Sequence, residues 1–318
     1  TIGSANAGSY TITNLAGITI ADGSGGTASN YTLTGGTHNF TVDRRVVSVS
    51  GTRLYDATTN AVASDLSTHA NLVGSETLNL SGTGTIASKN VGSNKTVSVG
   101  TLALADGSNG GLAANYTLSG GTHQLTVNQR PLNATLARQY DGTTTAAGSD
   151  LSSFDALQGG ETLTMTGSGT AASANVANGI AMSSNGTLAL ADGTGLASNY
   201  SLNSTVINIA QRVLNSSGSK TYDANTDALA GAITLSNLVS GEALNHSGTA
   251  TISSANAGSY TITNLAGISI ADGSGGTASN YTLTGGTHNF TVNRRAVSVS
   301  GTRLYDATTN AVASDLST

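Results

Sequence analysis

Residues 51–68 read GTRLYDATTNAVASDLST, and the same eighteen letters return at 301–318. The duplication reaches further back: residues 1–68 and 251–318 differ only at Gly3/Ser253, Thr19/Ser269, Asp43/Asn293 and Val46/Ala296. An offset of 250 residues with four differences in 68 positions marks duplication, not convergence. The chain reads as a window on a longer array that starts and stops inside repeats.

A shorter period lies within the long one, and repeats decide how everything else is read. Tyr-Asp pairs begin at Tyr55, Tyr140, Tyr222 and Tyr305, spaced 85, 82 and 83. Asn-Tyr pairs end at Tyr31, Tyr116, Tyr200 and Tyr281, spaced 85, 84 and 81. Both rulers sum to 250, so three units of about 83 residues form one super-repeat. Rare residues keep the same phase. The three glutamates, Glu76, Glu161 and Glu242, each precede an asparagine (Asn90, Asn175, Asn256) by 14 residues. Arg45, Arg130, Arg212 and Arg295 each stand ten residues before a Tyr-Asp tyrosine, and Arg53, Arg138, Lys220 and Arg303 stand two before it. The phase expected from these landmarks is the back part of a repeat at 1–45, repeats at 46–130, 131–212 and 213–295, and the opening of another at 296–318.

Composition narrows the class. Cysteine is absent, so disulfides and thiolate chemistry are excluded. Charged residues are 9% of the chain, against about 25% in an ordinary soluble domain. With 37% apolar residues the chain is too hydrophobic for the usual disordered composition, so its polar surface is built from Thr, Ser, Asn and Gly. A net charge of −5 gives little attraction for nucleic acid or anionic lipid. No apolar run approaches the roughly 18–20 residues needed to span a bilayer, so no direct membrane insertion is expected here. This composition is typical of secreted bacterial fibres.

Local patterns are those of strands. "ETLNLSGTGTIAS", "KTVSVGTLALADG" and "NYTLSGGTHQLTV" alternate with period two between Gly, Asn and Asp. Val97 and Val99 alternate one residue out of step with Leu102 and Leu104, which predicts a bulge or a bend at Gly100-Thr101. No amphipathic helix stands out, and "ATTNAVASDLST" could hold one short turn. "FTVDRRVVSVSGTRLYD" runs between repeats with no flexible linker. The fold expected is all-β: a stiff rod of small β-sandwich or β-grasp-like domains, with a β-solenoid as the alternative. In a chain with so few large residues the ruler tyrosines are expected at least half buried, with an Asp or Asn near each hydroxyl.

His38, His123 and His288 recur in "GGTH" but are replaced in the middle repeat, so they are expected at the surface or a strand edge. One glutamate per unit fits a structural turn or ion pair better than a paired-carboxylate active site. No catalytic residue is assigned, and no enzyme is expected. Asp22, Asp106, Asp192 and Asp272, each in an Asp-Gly turn, are weak calcium candidates with one carboxylate per loop; no other metal or cofactor is expected. The recurrent Arg and Lys are expected either to bridge to the recurrent Asp or Glu, or to blunt a solvated strand edge.

The pattern K/R-x-Tyr-Asp, then "SGE", then "NAG", then "ASNYTL", resembles the YDG and MBG repeats of Gram-negative secreted adhesins. "RQYDGTTTA" at 138–146 carries that signature most fully, and Gly-Glu at 160–161 and 241–242 stands where family members often have Gly-Asp. The resemblance implies filamentous-haemagglutinin-like proteins, often exported by two-partner secretion, and biofilm-matrix adhesins. It implies an extracellular or cell-surface stalk or fibre segment whose partners are neighbouring copies. A carbohydrate-binding array using Tyr and Asn on exposed loops, with exopolysaccharide as partner, is the alternative; a Thr-rich ice- or surface-binding array is a third.

Overall fold

The computed structural model describes residues 1–317. Among them every regular element is a strand or a one-turn 3-10 segment. Contacts divide the chain into two compact units, one of residues 1–133, 154–165 and 190–204, the other of 134–153, 166–189 and 205 onward.

The first unit is built on a six-stranded sheet in the order Asn60–Val62, Thr83–Ile86, Gly92–Ser98, Gln124–Asn128, Ser48–Leu54, Thr68–Ala70. Its first long strand and its last lie side by side and parallel, from Ser50 opposite Gln124 to Leu54 opposite Asn128. The other neighbours run antiparallel. Alternation puts Val49, Leu125 and Val127 on the covered face, where they join Val47, Tyr55 and Leu66 in the core. A two-stranded layer, Leu78–Ser81 with Ala103–Asp106, closes over that face. The chain passes from this layer into the sheet at Gly82, whose φ of +84° and whose approach to the Thr101 carbonyl (a Cβ would sit 2.1 Å from it) both require glycine. It leaves the sheet for the layer again through Gly100, at φ +56°. The step between Val97/Val99 and Leu102/Leu104 is therefore a bend between strands of two ladders, not a bulge. N-terminal to this sheet, Gly8–Thr11 pairs with Asn39–Val42.

The second unit repeats the plan. Its sheet runs Asp227–Leu229, Leu244–Ile252, Gly258–Asn264, His288–Asn293, Asn215–Thr221, Ile233–Ser236, with Ile268–Asp272 added to Leu244–Ile252. Again the first and last strands are central and parallel, Ser216 through Thr221 opposite His288 through Asn293. The middle repeat has the same strand order: Thr145–Ala147, Ser168–Ala171, Ala177–Ser184, Tyr200–Ala210, Arg130–Gln139, Leu151–Phe154. Its last strand runs eleven residues unbroken. The reason is local: "STVIN" at 204–208 replaces the glycine-rich loop that elsewhere splits this strand. The boundary between the two units falls within the middle repeat's strands. Every strand ladder closes within its own repeat, so the architecture is a tandem set of β domains and not a solenoid.

Five ruler tyrosines are core residues: Tyr55, Tyr116, Tyr140, Tyr200 and Tyr281 are at most 5% exposed. Tyr222 is 38% exposed and meets the expectation; Tyr31, at 67%, overturns it. No glutamate of the described residues reaches the Tyr31 hydroxyl, whereas Glu76, Glu161 and Glu242 accept from its counterparts Tyr116, Tyr200 and Tyr281. The histidines also differ from expectation. His123 and His288 are buried, each with Nε2 2.8 Å from a carbonyl five residues earlier, Leu118 or Leu283. Their Nδ1 atoms meet the Val49 amide and the Ser216 hydroxyl. The "GG" before each histidine lets the ring fold back onto the chain, which is why a polar ring sits inside.

After each Tyr-Asp, the next residue takes a left-handed conformation: Ala57 at φ +63°, Gly142 at +77°, Ala224 at +66° and Ala307 at +60°. Alanine there carries strain that glycine does not. Ala224→Gly is expected to stabilise the chain by about 0.5–1 kcal/mol and Gly142→Ala to cost at least as much. Urea unfolding of the two variants checks the pair; a destabilised Ala224→Gly would count against it.

Candidate functional site: a tyrosine lock between consecutive repeats

Tyr55 and Tyr140 each follow the end of their repeat's first strand and continue its ladder, Tyr55 N–H donating to Asn128 O and Tyr140 N–H to Ala210 O, both at 2.9 Å. The strand direction carries the ring out of its own repeat and into the next. Tyr55 Oη donates to Glu161 Oε1 at 2.6 Å, and Tyr200 Oη donates to Oε2 of the same carboxylate at 2.9 Å. The two rings meet edge to face, 5.3 Å between centroids at 77°. In the second unit Tyr140 and Tyr281 donate to the two oxygens of Glu242, each at 2.6 Å, with rings 5.4 Å apart at 79°. One glutamate thus holds a tyrosine of its own repeat and a tyrosine of the repeat before.

Asparagines brace the lock. Asn199 Nδ2 donates to Asn90 Oδ1 at 3.0 Å, and Asn199 Oδ1 accepts from the Val91 amide at 2.9 Å. Asn280 does the same with Asn175 and Val176. The boundary arginines finish it, Arg130 donating to Tyr55 O at 3.2 Å and Arg212 to Tyr140 O at 3.4 Å. These arginines bind carbonyls and no Asp or Glu. The other basic series forms the expected ion pairs, but inside its own Tyr-Asp loop: Arg53 with Asp56 at 2.7 Å, Arg138 with Asp141, and Lys220 with Asp223 at 2.9 Å.

Lys89 was missed by the sequence reading. Its Nζ lies 2.6 Å from Glu161 Oε1 and 5.9 Å from the Tyr55 ring centroid. Only its place beside the Asn90 landmark hinted at this, since the other repeats have alanine there.

A third copy of the receiving half lies at Glu76. Tyr116 donates to Glu76, Asn115 binds Asn6 Oδ1 and the Ala7 amide, and the Val73 amide donates to Tyr116 Oη. No Tyr-Asp tyrosine of the described residues reaches this carboxylate. A cavity of about 490 Å³ lies there instead, lined by Arg45, Glu76, Asn115 and Tyr116 among others. Of the remaining landmarks, Tyr305 and Arg295 are exposed.

The four Asp-Gly aspartates have one shared role. Asp22, Asp106, Asp192 and Asp272 each accept a backbone N–H from the alanine opening the following 3-10 turn, Ala28, Ala113, Ala197 and Ala278, at 2.6–2.7 Å. This anchors the loop that carries Asn-Tyr into the lock. Among the described residues no group of three or more His, Asp or Glu could hold a metal ion.

Burial pushes the Tyr200 and Tyr281 hydroxyls up to about 12, with the glutamate each one faces adding to the effect. Burial also pulls the Glu161 carboxyl upward, but hydrogen bonds from Lys89, Tyr55 and Tyr200 outweigh it and hold the group below its ordinary value. A tyrosine that keeps its proton longer folded than unfolded contributes stability that is full below about pH 10 and drains away as pH rises towards 12. Thermal melts between pH 8 and 12 are therefore expected to fall steeply above pH 10, and a flat profile would contradict the lock. At the acid end Glu161 has the opposite sign: its contribution is full above its unfolded value and is lost as pH falls through the depressed folded one.

These landmarks coincide with a known family. The YDG domain matches at residues 41–124, 123–207 and 210–289, three tandem copies over most of the chain. The chain belongs to the YDG domain family. No curated protein and no solved structure matches it. Within this YDG chain the tyrosine of the motif is the key of the lock, the aspartate pairs with the basic residue three before it, and the glycine position is the left-handed one.

Proposed function

We propose that this YDG array is a structural stalk segment of a large secreted bacterial surface adhesin or biofilm filament. In that reading it lies outside the cell, holds a distal adhesive region away from the surface, and associates with neighbouring copies. The observation that carries the reading is the lock: twice, a buried tyrosine of one repeat is held by the glutamate, tyrosine and asparagine of the next. A ligand-binding array has no need to spend its best aromatic platforms in this way, and a jointed string of domains would leave such junctions open. The covalent path supports it as well. Only Gln129 separates the last strand of one repeat, Gln124–Asn128, from the first strand of the next, Arg130–Gln139. Burial of five ruler tyrosines leaves the carbohydrate alternative without its principal platforms.

The test is small-angle scattering on the chain at dilution. A compact domain of this size has a radius of gyration of roughly 12 Å, so about 35–40 Å per repeat and about 120–160 Å in total is expected. A maximum dimension below about 80 Å, or the profile of freely jointed domains, would reject the stalk.

A further inference from the structure

The locks bring together the side chains that this chain surrenders first to a one-electron oxidant. Cysteine and tryptophan are absent, so the phenol of tyrosine is the most easily oxidised group in the sequence, and no thiol is present to intercept the oxidant. Two pairs of these phenols are in contact. Between ring centroids, Tyr55 lies 5.3 Å from Tyr200 and Tyr140 lies 5.4 Å from Tyr281, with both partners of each pair inside the described residues. In each pair the two hydroxyls donate to the two oxygens of one carboxylate, at 2.6 and 2.9 Å on Glu161 and at 2.6 Å twice on Glu242. A base within hydrogen-bond reach of the proton to be removed is what oxidation of a phenol at neutral pH requires.

We propose that the locks are sites of covalent tyrosine coupling, Tyr55 to Tyr200 and Tyr140 to Tyr281, with hydrogen peroxide turned over by a haem peroxidase as the oxidant. Each phenol gives up one electron and its hydroxyl proton. The two phenoxyl radicals then join through a ring carbon beside each oxygen, forming one C–C bond. The hydrogens on those two carbons move to the oxygens and restore both phenols as dityrosine. Hydrogen peroxide takes the two electrons and two protons and leaves as two waters. The carboxylate accepts each hydroxyl proton in turn and passes it to solvent, since Glu161 and Glu242 are only partly buried. The electron leaves a buried ring by way of an exposed phenol such as Tyr222.

The geometry favours coupling inside the lock over any other. Turning a ring about its own long axis, a soft torsion, swings the carbons beside the hydroxyl while the oxygen stays on the glutamate. The edge-to-face pairs can therefore close without first losing their hydrogen bonds. All four rings are at most 5% exposed, so a radical formed in one meets its neighbour before it meets another chain. Tyr260, by contrast, donates to the Asn256 carbonyl, which takes no proton. Lys89 then divides the two locks. Its ammonium lies 5.9 Å from the Tyr55 ring centroid and 2.6 Å from Glu161 Oε1. There it opposes removal of an electron from the ring and competes for the carboxylate that would take the proton. Ala174 holds the corresponding place at the second lock, so Tyr140–Tyr281 is the more reactive pair. The coupling rests on the geometry of the locks; only its use in keeping repeats joined under load rests on the stalk reading.

The experiment treats the full chain, at dilution, with hydrogen peroxide and a haem peroxidase. The monomer is then isolated by size and its cross-links are mapped by peptide mass spectrometry. The expected product has lost two hydrogens per lock and fluoresces as dityrosine, with Tyr140–Tyr281 and Tyr55–Tyr200 at least tenfold above any other pair within the chain. Tyr140–Tyr281 should form severalfold faster, and Lys89→Ala should bring the two rates together. Glu242→Gln, whose amide takes no proton, should slow the second lock severalfold and leave the first unchanged, with circular dichroism reporting the fold of each variant. The same treatment in urea opens the locks and should scatter the bonds over other tyrosine pairs. Bonds confined to exposed tyrosines, or one pattern shared by the folded and the unfolded chain, would overturn the proposal. Scattering reads the shape of the chain and peptide mapping reads the bond, so failure of the stalk and failure of the coupling are told apart.

Discussion

Tyr140→Ala is expected to destabilise the chain by about 3–5 kcal/mol, the range for truncating a buried aromatic. The side chain is 5% exposed, edge to face with Tyr281 and bonded to Glu242. Removing it opens a cavity and takes one of the two hydroxyl donors from a carboxylate that is only partly exposed. Tyr140→Phe separates these effects: the ring and its contacts stay, and the lost bond to a charged acceptor should cost about 1.5–3 kcal/mol. In a chain of these 318 residues Tyr222→Ala is the internal control. It is the same residue in the same motif, but it is 38% exposed and its hydroxyl has no partner among the described residues. Its truncation should cost well under half as much. Urea unfolding followed by circular dichroism, with hydrogen exchange at the Val176 amide as a local reporter, measures all three. If Tyr222→Ala proves as costly as Tyr140→Ala, tyrosine matters within a repeat and not at the junction, and the lock is wrong.

That control shows where the sequence was sufficient and where it was not. Period and phase were legible because the residues that mark them are scarce: three glutamates and ten tyrosines cannot recur at fixed spacing by accident. Burial of most ruler tyrosines followed from the same scarcity. The pairing did not follow, because equal spacing gives every landmark an equivalent in every repeat. Tyr55 lies nearer in sequence to Glu76, yet it binds Glu161, 106 residues away. Nothing periodic distinguishes a contact within a repeat from one with the next; strand direction does, and only the structure supplies it. The Asp-Gly aspartates were more accessible to reasoning. Each stands five to seven residues before the alanine whose amide it accepts, a side-chain-to-backbone anchor typical of a short carboxylate ahead of a turn. The calcium reading passed over it. The buried histidines were missed for a similar reason, since the glycines before them were read as loop and not as room for a ring to fold back.

The strand order also fixes how a repeat meets tension, and this gives the second large effect. In the third repeat the chain enters along Asn215–Thr221 and leaves along His288–Asn293, adjacent and parallel. Force between the start of the first strand and the end of the second slides one past the other. Six register pairs, Ser216–Thr221 against His288–Asn293, are then loaded together. Force between the starts of both strands separates the same ladder one bond at a time, and each bond alone is worth only about 1 kcal/mol net. Cysteine handles can impose either geometry on otherwise identical molecules, since Gln211, Thr284 and Arg294 are all exposed. Gln211→Cys with Arg294→Cys loads the pair in shear, and Gln211→Cys with Thr284→Cys peels it. Single-molecule pulling is expected to give a severalfold higher rupture force for the first pair. The distance to its barrier should be about 2–3 Å, the range over which an N–H···O bond is lost. The peeled geometry should give a lower force over a longer distance. Equal forces in the two geometries would mean that the parallel strands bear no special share of the load, and the stalk would have to draw its strength from the tyrosine junctions alone.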